Sequence, residues 1–313
     1  MNQKPVIVIG GPTASGKSAM ALALASQFGG EIVNADSMQI YEDLPVLTAR
    51  PDAVDRERAL HHLYGVLNMG ERCSAGQWRD LAVDAIQDIH VRGGVPVVVG
   101  GTGLYLKALM TGLHDMPVVP ADIRDGLNLR LRNEGAPALH SELTAADPAT
   151  AKNLNPADGQ RIVRALEIFL HTGRGLRSWQ SGEPEDAPAD MRFFRLALLP
   201  PREYVYTAAN DRFDGMLENG AIEEVASLLA RSPAEDFPLL KAVGVPPIRA
   251  YLGGGIDRER LIELGKRDTR RYAKRQVTWF RRQFIPQMTI ETKYSEINMD
   301  KIFSEIRKFL LTD

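Results

Sequence analysis

A glycine-rich loop between a short apolar run and a helix-forming segment constrains this chain more than any other feature. Residues 5–9 are mostly β-branched and apolar, as in a strand buried on both faces, and residues 18–25 are good helix formers. The loop between them reads G-G-P-T-A-S-G-K-S and has the spacing G-x-x-x-x-G-K-S from Gly11 onward. Main-chain N–H groups at such a strand-to-helix turn hold phosphate oxygens. The sequence therefore predicts a phosphate-binding cradle, with a tight turn and an incidental lysine as the alternative.

Each residue type in this loop has a task in phosphate binding. The glycines let the main chain wrap around phosphate oxygens, Lys17 reaches the outer phosphates, and the Ser18 hydroxyl can hold Mg²⁺. The same pattern occurs in ATP-binding proteins, so the loop by itself does not identify the ligand. The predicted diphosphate- or nucleotide-binding residues are Gly11, Pro12, Thr13, Ala14, Ser15, Gly16, Lys17 and Ser18.

Size and charge set the broad class of the protein. With 313 residues, 44% of them hydrophobic, the chain can form a full α/β core with an additional lobe. A formal net charge of −2 gives no overall attraction to nucleic acid, so an RNA-binding surface has to come from local clustering. No apolar stretch approaches the ~20 residues of a membrane helix. We expect a cytoplasmic protein without a membrane partner, and a monomer.

Few side chains are candidates for metal or redox chemistry. Cys73 is the single cysteine, which excludes an internal disulfide and a cysteine-based zinc site. The adjacent His61 and His62 have no ligand-type neighbours at metal-binding spacing, so we predict a structural role for them.

Two further predicted strands end in residues that suggest a ligand site. Asp36 follows a strand predicted at residues 31–35, and ligands bind at the carboxyl ends of strands in open α/β sheets. A strand at residues 95–99 ends in Gly100-Gly101-Thr102, where P-loop ATPases commonly carry an aspartate that positions Mg²⁺ and water. Routine ATP hydrolysis is therefore disfavoured. The alternatives are that Asp36 only forms a turn or a cap, and that the glycines only end a strand.

The fold class predicted from these patterns is α/β, a P-loop NTPase-like parallel sheet flanked by helices. We assign the first part of the core to residues 1–115 and its completion, including a further strand at 193–199, to residues 191–313. An inserted helical lobe occupies residues 116–190 and ends in an exposed linker at 181–188.

Two helices carry polar clusters that a packed core does not require. In the lobe, Gln160 and Arg164 lie four residues apart on one face, although Arg164 could instead form an ordinary surface pair with Glu167. Residues 258–282 contain ten Lys or Arg and three acids. Charge runs are usually solvated faces, but this concentration within a chain of net charge −2 favours contact with a phosphate backbone. Arg267, Arg271, Lys274 and Arg281 lie at spacings that line one side of a helix, and Arg275 adjoins them.

The combined motifs resemble those of the bacterial tRNA dimethylallyltransferase family, also called tRNA isopentenyltransferases. The resemblance implies transfer of a dimethylallyl group from dimethylallyl diphosphate to the exocyclic amine of the adenosine at tRNA position 37, next to the anticodon, in tRNAs that read UNN codons. A cradle that holds a diphosphate leaving group would also explain the missing aspartate. In chain order the motifs are the G-P-T-A-S-G-K-S loop, D-S-M-Q at 36–39, G-G-T at 100–102, Q-R-x-x-R-A-L-E at 160–167 and A-K-R-Q at 273–276.

The resemblance also implies residue roles. Asp36 would take a proton from the adenine amine while Thr13 orients the reacting groups. Lys17, Arg212 and a Mg²⁺ held by Ser18 would stabilise charge on the departing diphosphate. The adenine would have to leave its stack to react. The tRNA contacts implied by the family are Asp36, Ser37, Met38, Gln39, Thr102, Arg124, Gln160, Arg161, Ile162, Val163 and Arg164, and the basic helix adds Arg271, Lys274 and Arg275.

Two segments depart from the family pattern. Residues 47–51 read L-T-A-R-P where the family usually has G-T-A-K-P, and residues 243–247 read V-G-V-P-P where it usually has V-G-Y-R-Q. Both departures concern segments expected near tRNA. The phosphate loop, Asp36 and Arg212 are kept.

Three other functions share some of these features. A small-molecule kinase using ATP has the cradle and a strand-end aspartate, but does not need the basic helix or the cluster around Gln160. An adenylate isopentenyltransferase acts on free nucleotide, whereas the long helical lobe favours a macromolecular acceptor. A non-catalytic RNA-binding module would not need Asp36, Lys17, Ser18 and Arg212 together.

Overall fold

The computed structural model describes residues 3–182, 184, 188–297 and 299–312. The chain packs as two compact units. One combines Met1–Met110 with Pro188–Asp313, and the other is Thr111–Ala187. Of the linker expected at 181–188, residues 183 and 185–187 lie outside the described residues.

A six-stranded sheet, parallel throughout, forms the centre of the first unit. Its strands are β1 (Lys4–Gly10), β2 (Gly30–Asn34), β3 (His61–His62), β4 (Val95–Gly100), β5 (Met191–Leu198) and β6 (Met288–Ile290), paired in the order β3-β2-β4-β1-β5-β6. The central strands β1 and β4 are valine- and isoleucine-rich runs that are buried on both faces, as parallel strands between helical layers are. The predicted α/β class with a parallel sheet is confirmed.

Helices cover both faces of this sheet. In chain order the helices are α1 (Lys17–Phe28), α2 (Ala53–Arg58), α3 (Ala75–Val91), α4 (Gly103–Thr111), α5 (Ala121–Glu134), α6 (Ala136–Ala146), α7 (Pro148–Ala151), α8 (Gly159–Thr172), α9 (Leu176–Trp179), α10 (Arg202–Glu218), α11 (Ala221–Ala230), α12 (Val245–Leu252), α13 (Arg258–Gln283) and α14 (Met299–Leu311). Short 3₁₀ turns occupy Pro238–Lys241 and Tyr294–Glu296. The face covered by α1 and α14 has a core that includes Met20, Leu24, Ile302 and Ile306. The opposite core includes Trp78 of α3, Phe213 of α10 and Phe280 of α13.

No helix within the described ranges combines the length and the apolar character that a membrane crossing requires.

The second unit consists of helices α5 to α9 around a small core of its own. Helix α8 supplies one buried face of this core, and α5 and α6 pack against it. The largest buried side chains of the cluster are Leu127, Leu139, Leu143, Ile162 and Leu166.

The start of α3 follows the sequence pattern closely. The Ser74 hydroxyl accepts the Gln77 N–H at 3.1 Å, and the Gln77 side chain accepts the Ser74 N–H at 2.9 Å. These reciprocal hydrogen bonds form a capping box. Leu81 is 37% exposed because it lies about 100° around the helix from the buried Ala82.

The two adjacent histidines form a strand that the sequence does not reveal. His61 and His62 pair with Ile32 and Val33 at the edge of the sheet, and the His62 ring lies 2.6 Å from the Glu31 carboxylate. Two residues are too few to show the period-two alternation by which strands are recognised.

Glycines allow α13 to pack closely against the ends of the central strands. At three positions a Cβ atom would collide with a side chain of α13, so only glycine permits the observed approach. The distances from a built Cβ to the nearest α13 atom are 2.3 Å from Gly10 to Phe280 Cε1, 2.2 Å from Gly101 to Gln276 Nε2 and 2.3 Å from Gly103 to Trp279 Cδ2. This packing brings the basic helix next to the glycine-rich loop.

Two helical glycines test the packing between α10 and α13. A Cβ on Gly265 would lie 2.0 Å from Phe213 Cζ, so Gly265→Ala should be destabilising, because overpacking costs about 1–3 kcal/mol and outweighs the gain of up to about 1 kcal/mol in helix propensity. A Cβ on Gly215 of α10 has no neighbour within 4 Å, so Gly215→Ala should be stabilising. Urea denaturation followed by circular dichroism measures both. Shifts of the same sign in the two variants would contradict the packing described.

Candidate active site

The glycine-rich loop turns from β1 into α1 through left-handed main-chain conformations. Gly16, directly before the helix, has φ +90°, and Ala14 has φ +61°, which is uncommon for a residue with a Cβ. The first turn of α1 leaves its N–H groups without acceptors inside the helix. Lys17 Nζ donates to the Pro12 carbonyl at 3.1 Å, which folds the lysine back over the loop. This arrangement suits an anion.

A cavity of about 260 Å³ opens beside this loop at the carboxyl ends of the strands. Its wall contains four cationic side chains, and Asp36 is the single carboxylate among the described residues that line it. Such a charge balance attracts an anionic ligand to a site with one basic oxygen centre. The lining residues include Thr13, Lys17, Ser18, Asp36, Ser37, Met38, Gln39, Leu47, Thr48, Arg212, Lys241, Tyr272 and Arg275.

Asp36 forms a turn and also faces the cavity. Its Oδ1 accepts the Met38 N–H at 2.9 Å. Asn34 fixes the main chain of Asp36 from both sides, since its Oδ1 accepts the Asp36 N–H at 2.8 Å and its Nδ2 donates to the Asp36 carbonyl at 3.1 Å. Asp36 Oδ2 has no hydrogen-bond partner in the described part of the chain. This oxygen is available to accept a proton from a ligand.

Arg212 joins the glycine-rich loop across 199 residues of sequence. Its Nη1 donates to Thr13 Oγ1 at 3.2 Å. The same cavity wall holds Lys17, so the two cations and the Thr13 hydroxyl face one space. Burial and, to a smaller extent, the nearby Arg212 guanidinium together lower the pKa of Lys17 to about 8, against the opposing effect of Asp36. The predicted catalytic set of Asp36, Thr13, Lys17 and Arg212 is thus brought together, although their roles remain predictions.

Ser37, Met38 and Gln39 also line the cavity, whereas Thr102 is not among its lining residues. Instead the Thr102 hydroxyl accepts the Ser37 N–H at 3.0 Å, and its own N–H donates to the Ala35 carbonyl at 3.2 Å. Thr102 therefore ties the end of β4 to the residues after β2. Gly100 permits this close approach, because a Cβ there would lie 2.0 Å from the Ala35 carbonyl oxygen.

Gln276 is a site residue to which the sequence analysis assigned no role. Its Oε1 accepts the Thr13 N–H at 2.8 Å, and its Nε2 donates to the Gly101 carbonyl at 3.0 Å. It ends the A-K-R-Q motif, in which only the basic members carry a sequence signal for phosphate contact.

A loop held by hydrogen bonds to Glu224 and Gln39 brings Leu47 and Thr48 to the cavity wall. The Glu224 carboxylate accepts the Val46 N–H at 2.8 Å and the Leu47 N–H at 3.0 Å. Gln39 Nε2 donates to the Thr48 carbonyl at 2.7 Å. Leu47, where the chain departs from the family pattern, is buried in this wall. No sequence signal connects Glu224 with a loop almost 180 residues earlier.

The basic residues of α13 divide into two groups. Arg267, Lys266 and Arg270 in the first half bond to Asp268, Asp214 and Asn210. In the second half the exposed side chains of Arg271, Lys274 and Arg275 surround one surface depression together with Thr278. Asp268 also lies 3.9 Å from Arg271 Nη1, so this acid contacts two members of the predicted stripe.

In the helical unit, Arg124 and Arg164 meet at one buried carboxylate. Arg124 donates to Glu167 at 2.8 and 3.1 Å, and Arg164 bonds to the same side chain, which is 2% exposed. Burial alone would raise the pKa of Glu167, but these hydrogen bonds outweigh it and hold the pKa below its usual value. The Arg164–Glu167 pair exists, but it is not the ordinary surface pair considered as an alternative.

The remaining predicted positions of this unit differ in exposure. Gln160 and Arg161 are exposed at the start of α8. Ile162 and Val163 are buried core residues, so a partner at these two positions could contact only their main chain.

The chain is similar to known proteins over nearly its whole length. The family model for IPP transferase matches residues 39–283, and that for isopentenyl transferase matches residues 4–64. A tRNA dimethylallyltransferase of Rhodospirillum centenum is 49% identical over 280 residues, which cover 90% of this chain and 89% of that protein. The enzyme of the same name from Parvibaculum lavamentivorans is 45% identical over 98% of this chain and 97% of its own.

Two solved structures are similar as well. The crystal structure of the tRNA isopentenylpyrophosphate transferase of Bacillus halodurans superimposes with a TM-score of 0.67 at 33% identity, covering 99% of this chain and 96% of that one. Crystal structures of a eukaryotic dimethylallyltransferase acting on tRNA give a TM-score of 0.80 at 29% identity, covering 98% of this chain and 80% of that one.

The lowered pKa of Lys17 predicts how anion binding depends on pH. The lysine loses its positive charge as the pH rises through about 8, so the affinity for inorganic diphosphate should fall in that range. Isothermal titration calorimetry between pH 6.5 and 9.5 measures this affinity. Lys17→Arg keeps its charge over the whole range and serves as the control, because changes in the ionisation of diphosphate affect both proteins equally. Parallel pH profiles for the two proteins would refute the assignment.

Proposed function

The chain belongs to the IPP transferase family, and on that premise we propose that it transfers the dimethylallyl group of dimethylallyl diphosphate to tRNA. The proposed acceptor is the exocyclic amine of the adenosine at position 37 in tRNAs that read UNN codons, and diphosphate is released. The observation that carries this proposal is a single cavity in which the phosphate loop, Arg212 and one carboxylate meet beside a basic helix. The fold and the names of the relatives agree with it.

The reaction proposed here is a displacement at the allylic carbon. The amine nitrogen forms a bond to C1 of the dimethylallyl group, the C1–O bond breaks, and its electron pair leaves with the diphosphate. An exocyclic amine is too weakly acidic to lose its proton beforehand, so a base has to act during the attack. Asp36 Oδ2, which has no partner among the described residues, takes that proton.

Lys17, Arg212 and Thr13 act on the leaving group. The two cations face the same space as the phosphate loop, where they offset the negative charge that develops on the diphosphate. The Thr13 hydroxyl, which already accepts a hydrogen bond from Arg212, can donate its own proton toward an oxygen of the diphosphate.

Ser18 fits the proposed role in holding Mg²⁺. Its side chain is exposed at the cavity wall, and Mg²⁺ commonly binds few protein oxygens while the substrate phosphates and water complete its coordination. The absence of a cluster of three or more acidic, histidine or cysteine side chains in the described part of the chain agrees with such a site. When bound, Mg²⁺ would supply further neutralisation of diphosphate charge.

The residues proposed to contact tRNA lie in both units. At the cavity, Ser37, Met38 and Gln39 would surround the adenine, which has to be flipped out of its stack. Arg271, Lys274 and Arg275 would bind backbone phosphates. In the helical unit, Arg124, Gln160, Arg161 and Arg164 would read unstacked anticodon-loop bases. We further propose that the enzyme acts as a monomer in the cytoplasm.

A small-molecule kinase is not favoured. The strand end that carries an aspartate in many P-loop ATPases carries Gly100 and Gly101 here, and both glycines are occupied in packing against Ala35 and Gln276. A kinase acting on a small acceptor would also have no use for the exposed basic residues of α13.

The role of Asp36 is tested by Asp36→Asn. The amide oxygen can still accept the Met38 N–H, so the turn should persist, but the residue can no longer take a proton. We expect kcat to fall by about 10²–10⁴-fold, with the Kd for unmodified tRNA within about threefold of the original value. Single-turnover prenylation and filter binding measure the two quantities. Turnover near that of the unmodified enzyme would exclude Asp36 as the base.

The reaction itself is tested with radiolabelled dimethylallyl diphosphate, Mg²⁺ and an unmodified tRNA that reads a UNN codon. We expect label to enter the RNA, and the same tRNA with guanosine at position 37 should remain unlabelled. ATP consumption on small acceptors, without any labelled RNA, would instead indicate a kinase.

A further inference from the structure

The side chain of Gln276 connects the basic helix to the phosphate loop. From these contacts we infer that Gln276 is a positioning residue for prenyl transfer. It holds the main chain at Thr13, so that the Thr13 hydroxyl and Arg212 meet the leaving diphosphate. The inference rests on the proposed function and assigns a further residue to that reaction.

The surroundings of Gln276 fit an amide of this length. The residue is only 6% exposed, and both ends of its amide have partners, the Thr13 N–H at 2.8 Å and the Gly101 carbonyl at 3.0 Å. A Cβ at Gly101 would lie 2.2 Å from Gln276 Nε2, so the strand end has room for the amide only because residue 101 is glycine. An apolar side chain here would leave a partly buried N–H and a carbonyl without partners.

The phosphate loop needs a restraint at this point. Ala14, the next residue after Thr13, has a left-handed conformation that costs free energy, and such conformations persist only where surrounding contacts hold them. Arg212 reaches the Thr13 side chain, and Gln276 reaches the Thr13 main chain. Loss of the second contact would free Thr13 to rotate away from the diphosphate.

The same helix carries the proposed tRNA-binding residues. Lys274 and Arg275 directly precede Gln276 and are exposed, whereas Gln276 lies on the buried face with Ala273 and Phe280. A helix of this length is a rigid element. The exposed face that would contact the tRNA backbone is therefore connected to Thr13 through the Gln276 side chain.

Gln276→Met tests the inference, because methionine has a similar length and volume but cannot make either hydrogen bond. We expect kcat for dimethylallyl transfer, measured with saturating tRNA and donor, to fall by about 10–100-fold. The KM for tRNA should change by no more than about threefold, since the exposed basic residues are retained.

Gln287→Met is the control. Gln287 makes the same kind of bridge at the exposed sheet edge, accepting the Arg195 N–H at 2.9 Å and donating to the Phe193 carbonyl at 2.8 Å, but neither bond reaches the phosphate loop. Its kcat should equal that of the unmodified enzyme. Equal losses of kcat in both variants, in step with their loss of thermal stability, would show that Gln276 has only a structural role.

A double-mutant cycle provides a readout that general destabilisation does not change. Thr13→Val removes the hydroxyl through which Gln276 is inferred to act. The double variant Thr13→Val/Gln276→Met should therefore be no slower than the slower single variant. If kcat of the double variant falls by the product of the two single-variant losses, the inference is overturned. A wild-type kcat in Gln276→Met would overturn it as well.

The activity of the unmodified enzyme distinguishes a failure of the proposed function from a failure of the role inferred for Gln276. Absence of dimethylallyl transfer by that enzyme would refute the proposed function itself. Normal transfer that is insensitive to Gln276→Met would refute only the role of Gln276.

Discussion

The close packing of α13 against the carboxyl ends of the strands is the constraint on which the rest of the site depends. Glycines at positions 10, 101 and 103 leave no Cβ in the way, and Phe280, Gln276 and Trp279 occupy the space. Through this contact, a helix from the last fifth of the chain helps to form the phosphate site of the first twenty residues. Any larger side chain at these glycines would collide with side chains of α13 and force them to move.

The electrostatics of the cavity follow from the same arrangement. The loop end of α1, Arg212 of α10 and Arg275 of α13 bring cations from three distant segments to one space that contains a single carboxylate among its described lining residues. Burial, together with the nearby Arg212 guanidinium, lowers the pKa of Lys17 to about 8. Such a perturbed cation in a cleft is typical of sites that bind anionic substrates. A diphosphate leaving group relieves this repulsion when it binds.

The helical unit uses one buried acid to organise two arginines. Glu167 is nearly inaccessible, yet it stays charged because Arg124 and Arg164 both donate to it. Burying a carboxylate without such partners would cost several kcal/mol, so the three side chains form a set in which removal of one member leaves the others unsatisfied. The guanidinium groups are thereby held in fixed positions at the surface of this unit.

The sequence alone determined the elements whose signal is local. The phosphate loop and its flanking strand and helix, the valine-rich strands, the capping box before α3 and the long basic helix can be recognised from neighbouring residues, because periodicity and capping depend on positions a few residues apart. Motif resemblance added the family.

Tertiary structure decided what depends on distant pairing. Three such pairings join residues that are far apart in the chain, and the neighbouring residues give no signal for them. They are the two-residue strand His61–His62 beside β2, the hydrogen bond between Gln276 and Thr13, and the hydrogen bonds from the Leu47 loop to Glu224. For the same reason, Arg267 could be placed on a basic stripe from its spacing, but its engagement by Asp268 became visible only once side-chain directions were known. Ile162 and Val163 lie within a family motif, yet packing of α8 puts both side chains in the core. Patterns along the chain report which face a residue occupies, whereas its partner is set by how separate elements pack.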